Sequence, residues 1–206
     1  MSDEFYSFVF IYVKSLLLGF IQGITEFLPI SSSAHLKVVP YLLGWSDPGV
    51  SFSASLQLGS AIAVIYYFRD DITAMINSLF AVFSHRMVFK DVNTRLMSYI
   101  FVANIPIFIF GSLIKLFWHD FSESGFRGLF SISIISILMS LLLAVAEIYS
   151  KRRKSFPDIN LKDIILLGIS QSLALFPGVS RSGITLTSAL FSGIERKTAA
   201  RLSFLV

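Results

Sequence analysis

Long apolar runs separated by short polar clusters set the plan of this 206-residue chain. The first run extends from about Phe5 to Leu28, is interrupted by Lys14 and ends at Pro29, because the residue before a proline is pushed out of the α region. A short helix, about Ala34 to Leu43, leads back to a turn-like segment, Gly44-Trp45-Ser46-Asp47-Pro48-Gly49. The next apolar run, about Phe52 to Phe68, is closed by Arg69, Asp70 and Asp71. Ile72 to Phe83 is shorter and amphipathic, which suits a helix lying in a membrane interface. The loop Ser84 to Arg95 carries Arg86, Lys90 and Arg95, and two full-length spans follow, about Leu96 to Phe117 and Leu129 to Tyr149. Several of these runs approach the roughly 20 residues needed to cross a bilayer. The pattern predicts an all-α, polytopic integral-membrane helical bundle.

Composition agrees. Hydrophobic residues make up 54% of the chain and charged residues 15%, against about 25% charged in a soluble domain. Cysteine is absent, which excludes disulfides, thiolate catalysis and a cysteine-based metal site. The net charge of +4 is not a nucleic-acid signal, because the basic residues sit between spans and report topology. Asp3 and Glu4 stand where a signal peptide would be basic, so no cleavable leader is expected.

Orientation follows from those loops. The Arg86–Arg95 loop and Lys151-Arg152-Arg153-Lys154 are separated by two spans, so positive-inside bias makes both cytoplasmic. The connector Trp118 to Gly128, with Asp120, Glu123 and Arg127, then lies outside. Counting back across the run that ends at Phe68 places the Trp45–Pro48 turn outside as well. The first segment therefore dips in from the outer face, breaks at Pro29 and returns.

One internal repeat is present. Leu17-Leu18-Gly19, Gln22, Phe27, Ser31 and Ser33 recur as Leu166-Leu167-Gly168, Gln171, Phe176, Ser180 and Ser182, at the constant offset of 149 that separates Gln22 from Gln171. Pro29 and Pro177 mark the break in each copy, shifted by one place. The second copy is flanked by Lys151–Lys154 and Lys162 before, and by Arg196, Lys197 and Arg201 after, so it dips in from the cytoplasmic face. This describes an inverted-topology repeat of two broken helices. The expectation is a single transmembrane domain, 1–206, with re-entrant motifs at about 5–44 and 161–193. Irregular backbone at membrane depth is tolerated only where it is buried in protein or lines a wet cavity, so the two loops should face each other.

Their residues carry the chemistry. Gln22 and Glu26 are four apart and share a helix face; Ser31, Ser32, Ser33 and His35 follow the break. Ionisable groups in so apolar a setting are expensive and usually functional. In the second loop Gly178, Ser180, Arg181, Ser182 and Thr185 bring a guanidinium, hydroxyls and backbone N–H groups together, a set suited to a phosphate. The plainer alternative is an arginine that pairs with Glu26 to close the bundle. Glu26 and Gln22 offer oxygens to a hard divalent cation, Mg or Ca, that bridges a diphosphate. Against that stands a carboxylate satisfied by the serines, or a proton relay, which keeps a transporter reading open. His35 suits general acid–base work beside these groups, although a lone histidine is also a common core residue. A hydroxyl or an activated water would attack phosphorus while Arg181 and the cation neutralise the developing charge.

QGITEFLPISSSAH with PGVSRSGIT resembles the undecaprenyl-diphosphate phosphatase family of bacitracin-resistance membrane proteins. Its signatures are an (E/Q)-x-x-x-E segment followed by P-x-S-S-x-x-H, and a P-G-x-S-R-S-x-x-T segment, and the similarity runs along essentially the whole chain. The resemblance implies hydrolysis of undecaprenyl diphosphate to the monophosphate carrier of cell-wall synthesis, with a divalent cation, on the outer face of the bacterial plasma membrane. It implies partners that are lipids, the polyprenyl diphosphate among them; a homo-oligomer is left open. By position, Gln22 and Glu26 match the acidic motif, Ser32 the proposed nucleophile, His35 the motif histidine and Arg181 the phosphate-binding arginine. Ser180, Ser182 and Thr185 match that arginine's polar neighbours. Gln22 takes the amide option where many members have Glu. Family members are longer, so spans completing the second repeat are expected after Val206.

The rival reading is a polyprenyl-phosphate flippase or secondary transporter, since inverted repeats of broken helices are transporter architecture. Asp70-Asp71 read as a solvated juxtamembrane pair, and Asn104-Ile105-Pro106 as a local kink. Trp45 and Trp118 read as interfacial anchors, while His85 and His119 fall in loops and need no role.

Overall fold

The structure, a computed structural model, describes residues 2–85, 92–118 and 125–206. Regular structure among them is helical: α1 (Ser2–Phe27), α2 (Ser32–Leu42), α3 (Gly49–Tyr67), α4 (Arg69–His85), α5 (Val92–Phe117), α6 (Leu129–Tyr149), α7 (Leu161–Gln171), α8 (Arg181–Phe191) and α9 (Arg196–Leu205). Short 3₁₀ turns cover Gly125–Arg127, Phe156–Asp158 and Ser172–Leu175. Four stretches, Phe8–Phe27, Gly49–Tyr67, Val92–Phe117 and Leu129–Tyr149, are long and apolar enough to cross a membrane. Their outward faces expose residues such as Phe20, Ile62, Phe108 and Phe130, the surface that hydrocarbon requires. Arg86, Lys90, His119, Asp120 and Glu123 lie outside the described residues.

The core lies between α5, α6, α7, α8 and α9, around Ala103, Ile164, Leu167, Leu190 and Leu202. In hydrocarbon, burial of apolar surface gives helices no net drive to associate, so close packing must do so. Gly168 on α7 shows how close: a Cβ there would stand 2.5 Å from the carbonyl oxygen of Ala103 on α5. Near that crossing, Gln171 donates through Nε2 to Asn104 Oδ1 at 3.2 Å, and Asn104 donates to the Ile100 carbonyl at 2.9 Å. Pro106 sits within α5, yet Asn104 is more than part of a kink, because it ties α5 to the second hairpin.

Two readings of charged residues change. Arg95 is not a loop cation: α5 begins at Val92, and the guanidinium donates to Tyr99 Oη at 2.8 Å, to the Pro157 carbonyl at 2.9 Å and to the Ile159 carbonyl. It therefore staples the α6–α7 connector to α5. Asp70 is solvated, 3.8 Å from Arg69 at an exposed site, but Asp71 pairs with Arg201 at 2.6 Å and ties α4 to α9. The basic end of α6 is likewise compensated: Glu147 takes Arg196 at 2.9 Å together with Arg152, and Lys154 pairs with Asp163 at 2.8 Å. Asn160 and Asp163 form a reciprocal capping box that starts α7.

Candidate active site

Each copy of the repeat folds as a helix, a break and a helix. In the first, α1 stops before Pro29 and α2 starts from Ser31, whose Oγ accepts from the Ala34 N–H at 3.4 Å. In the second, α8 starts from Ser180, whose Oγ accepts from the Gly183 N–H at 3.2 Å. These caps occupy equivalent positions, 149 apart, and each carries the same serine pair: Ser31 with Ser33 at 3.2 Å, and Ser180 with Ser182 at 3.3 Å. Gln22 and Gln171 match as well. Both are buried, both donate through Nε2, and the Oε1 of each is buried without a hydrogen-bond partner.

The two breaks meet tip to tip. A Cβ at Gly183 would lie 3.2 Å from the carbonyl oxygen of Pro29. Ser31 holds φ at +66°, a conformation that costs a serine roughly 1–3 kcal/mol and persists where the surroundings impose it. Gly178 has φ +96°, and a Cβ there would stand 2.9 Å from the Ile132 carbonyl oxygen. Its own carbonyl accepts from Ser136 Oγ at 3.1 Å. Gly178 thus seats the second loop against α6 and does not line the cavity between the tips.

That cavity, about 550 Å³, is lined by Glu26, Ser31, Ser32 and Ser33 from the first motif and by Ser180, Arg181 and Ser182 from the second. Ser32 Oγ donates to Glu26 Oε2 at 2.6 Å, and Gln22 Nε2 donates to the same oxygen at 3.0 Å. Glu26 Oε1 faces Arg181 Nη2 at 4.0 Å. A hydroxyl hydrogen-bonded to a carboxylate is the arrangement of a nucleophile with its base. The N-termini of α2 and α8 both border the space, adding partial positive charge for an anion.

Not every sequence candidate reaches the cavity. His35 is half-buried with Nδ1 2.9 Å from the Ser31 carbonyl oxygen, so its ring braces the strained cap and is not among the lining residues. Thr185 is fully buried, its Oγ1 turned back to the Arg181 carbonyl at 2.8 Å. Gln22 lies behind Glu26 and supports it. Conversely, Thr25, Gln57 and Ser60 line the cavity and were missed. The available signal was Gln57 and Ser60, three apart on one face of the long apolar helix α3. Phe27 and Phe204, with ring centroids 5.9 Å apart, line it from α1 and α9.

Among the described residues no three His, Cys, Asp or Glu side chains cluster to hold a metal. The carboxylate of Glu26 and the hydroxyl of Ser32 are nevertheless oxygens that suit a hard divalent cation, with the unpartnered Oε1 of Gln22 buried behind them, as that of Gln171 is in the second copy.

Fold and site together define an integral-membrane helical protein with a carboxylate, hydroxyls and a guanidinium converging on one cavity. The chain belongs to the bacitracin resistance protein BacA family, which it matches over residues 15–206. It is 70% identical over 206 residues to a protein of Prochlorococcus marinus strain NATL1A named undecaprenyl-diphosphatase, covering all of this chain and 74% of that one. An undecaprenyl-diphosphatase of strain NATL2A is 69% identical over the same span. One from Trichormus variabilis is 51% identical over 194 residues, covering 94% of this chain and 60% of that one.

Proposed function

We propose that this protein hydrolyses undecaprenyl diphosphate to undecaprenyl phosphate and inorganic phosphate, returning the lipid carrier to cell-wall synthesis and so conferring resistance to bacitracin. The observation that carries the reading is the 2.6 Å hydrogen bond from Ser32 to Glu26 in a cavity that also presents Arg181. Ser32 Oγ attacks the terminal phosphorus and Glu26 Oε2 accepts its proton. The bond from that phosphorus to the bridging oxygen breaks, and undecaprenyl phosphate leaves. Water then cleaves the phosphoserine and releases phosphate, with Glu26 again handling the proton. Arg181 balances charge on the equatorial oxygens, and Ser31, Ser33, Ser180 and Ser182 orient the diphosphate. Glu26, backed by Gln22, would hold a divalent cation, which would supply charge neutralisation on the diphosphate. His35, Gly178 and Thr185 act on the loops: the first braces Ser31, the second seats the loop on α6, and the third ties back to the Arg181 carbonyl in the first turn of α8.

The protein lies in the bacterial plasma membrane with the Trp45–Pro48 turn outside, so that the hairpins enter from opposite leaflets and the headgroup arrives from the outer face. The test is phosphate release from a polyprenyl diphosphate by the purified membrane protein. Turnover is expected for the unsubstituted protein and its loss in Arg181→Ala; release at the unsubstituted rate in Arg181→Ala contradicts the assignment. Lipid translocation without phosphate release would instead support the transporter reading.

A further inference from the structure

A second, smaller cavity of about 180 Å³ lies beside the site between α2, the Trp45–Pro48 turn and the start of α3. It shares Ser33 and Gln57 with the larger cavity, and its other polar walls are Lys37, Asp47 and Ser53. Much of the rest of the larger cavity is apolar, with Phe27, Val64, Ile65 and Phe204 among its lining residues. The reaction leaves two products of opposite character. The prenyl phosphate can withdraw along hydrocarbon, but inorganic phosphate is a hydrated dianion, and apolar walls give it no partners. The smaller cavity does. At about 30 Å³ per water, its volume admits a phosphate with part of its hydration shell.

Charge at its rim fits the same ion. Lys37 Nζ stands 3.9 Å from Asp47 Oδ2, with the two side chains 29% and 59% exposed. Asp47 is anchored independently, accepting the Gly49 N–H at 2.8 Å. So long and wet an ion pair contributes little, and an arriving dianion can displace the carboxylate at small cost. We propose that this cavity is a binding and exit port for inorganic phosphate, with Lys37 receiving the anion from Ser33 and Gln57 while Asp47 draws the ammonium back after release. The port rests on the phosphatase reading, since it is that reaction's second product that leaves.

Product inhibition separates the two. In phosphate-release assays with added inorganic phosphate, Lys37→Gln is expected to raise Ki about fivefold relative to KM, the weight of one partly exposed cation on an anion. Lys37→Arg should keep the original ratio, and Asp47→Asn, which removes the competing carboxylate from the rim, should lower it. A Lys37→Gln protein with an unchanged Ki overturns the port. So does a rise in KM that matches the rise in Ki, which would make Lys37 a substrate contact. If the unsubstituted protein releases no phosphate at all, the hydrolytic reading itself fails.

Discussion

Replacing Glu26 by glutamine removes one charge and almost no volume, which makes Glu26→Gln the sharpest perturbation of the site. In the resting structure its carboxylate accepts from Ser32 and Gln22 and faces Arg181 at 4.0 Å. Unit charges at that distance interact by about 4 kcal/mol at an effective dielectric constant of 20 and about 1 kcal/mol in water. Arg181 is 46% exposed and Glu26 24%, so the lower figure governs, and the loss of stability should be about 1 kcal/mol. For a chain of this size that is a Tm shift of roughly 2–4 °C. Catalysis should suffer far more. An amide cannot accept the proton of Ser32, and losing a positioned base costs about 10²–10⁴-fold in rate. Phosphate release from a polyprenyl diphosphate, measured beside a thermal melt of the same detergent-solubilised protein, reads both quantities. A Glu26→Gln protein that melts normally and keeps more than a tenth of the rate would refute the role given to Glu26.

Two further substitutions probe the scaffold. Gly168→Ala should destabilise by about 1–3 kcal/mol, because its Cβ would collide with the Ala103 backbone and force α5 from α7; a thermal melt in detergent checks this, and an unchanged Tm contradicts the close crossing. Asp158 lies in the α6–α7 connector, where hydrogen bonds from the Ser155 side chain and backbone hold its carboxyl below the ordinary 3.8. A lowered folded-state pKa stabilises above the unfolded value and is lost as pH falls through the folded one. Asp158→Asn should therefore lower Tm near neutrality, with the difference shrinking below about pH 4, a dependence that melts across pH would show.

The parts of this molecule that were legible in the sequence are those written locally. Pro29 and Pro177 each lie in a break between helices, while Pro40 and Pro106 sit inside them; it is proline with serines beside it that announces a break and a cap, so both helix–break–helix motifs and most of the cavity's polar wall could be read in order. What depended on distant partners could not. Nothing near Asp71 reveals Arg201, and nothing near Asn104 shows that its side chain would meet Gln171. Nothing in the order of residues shows that a left-handed Ser31 brings its carbonyl to Nδ1 of His35. Gln57 and Ser60 escaped notice because neutral polar residues in an apolar span resemble ordinary helix surface until another element faces them.

The central claim is that the two hairpin tips share one cavity, and cross-linking tests it most directly. The chain has no native cysteine, so Ser33→Cys and Ser182→Cys, on opposite motifs but lining the same space, give a clean pair for a short bismaleimide. The account predicts one reagent bridging both thiols, seen as the mass of a single linker that joins the two peptides after digestion. Two thiols that each react singly and never bridge would contradict it.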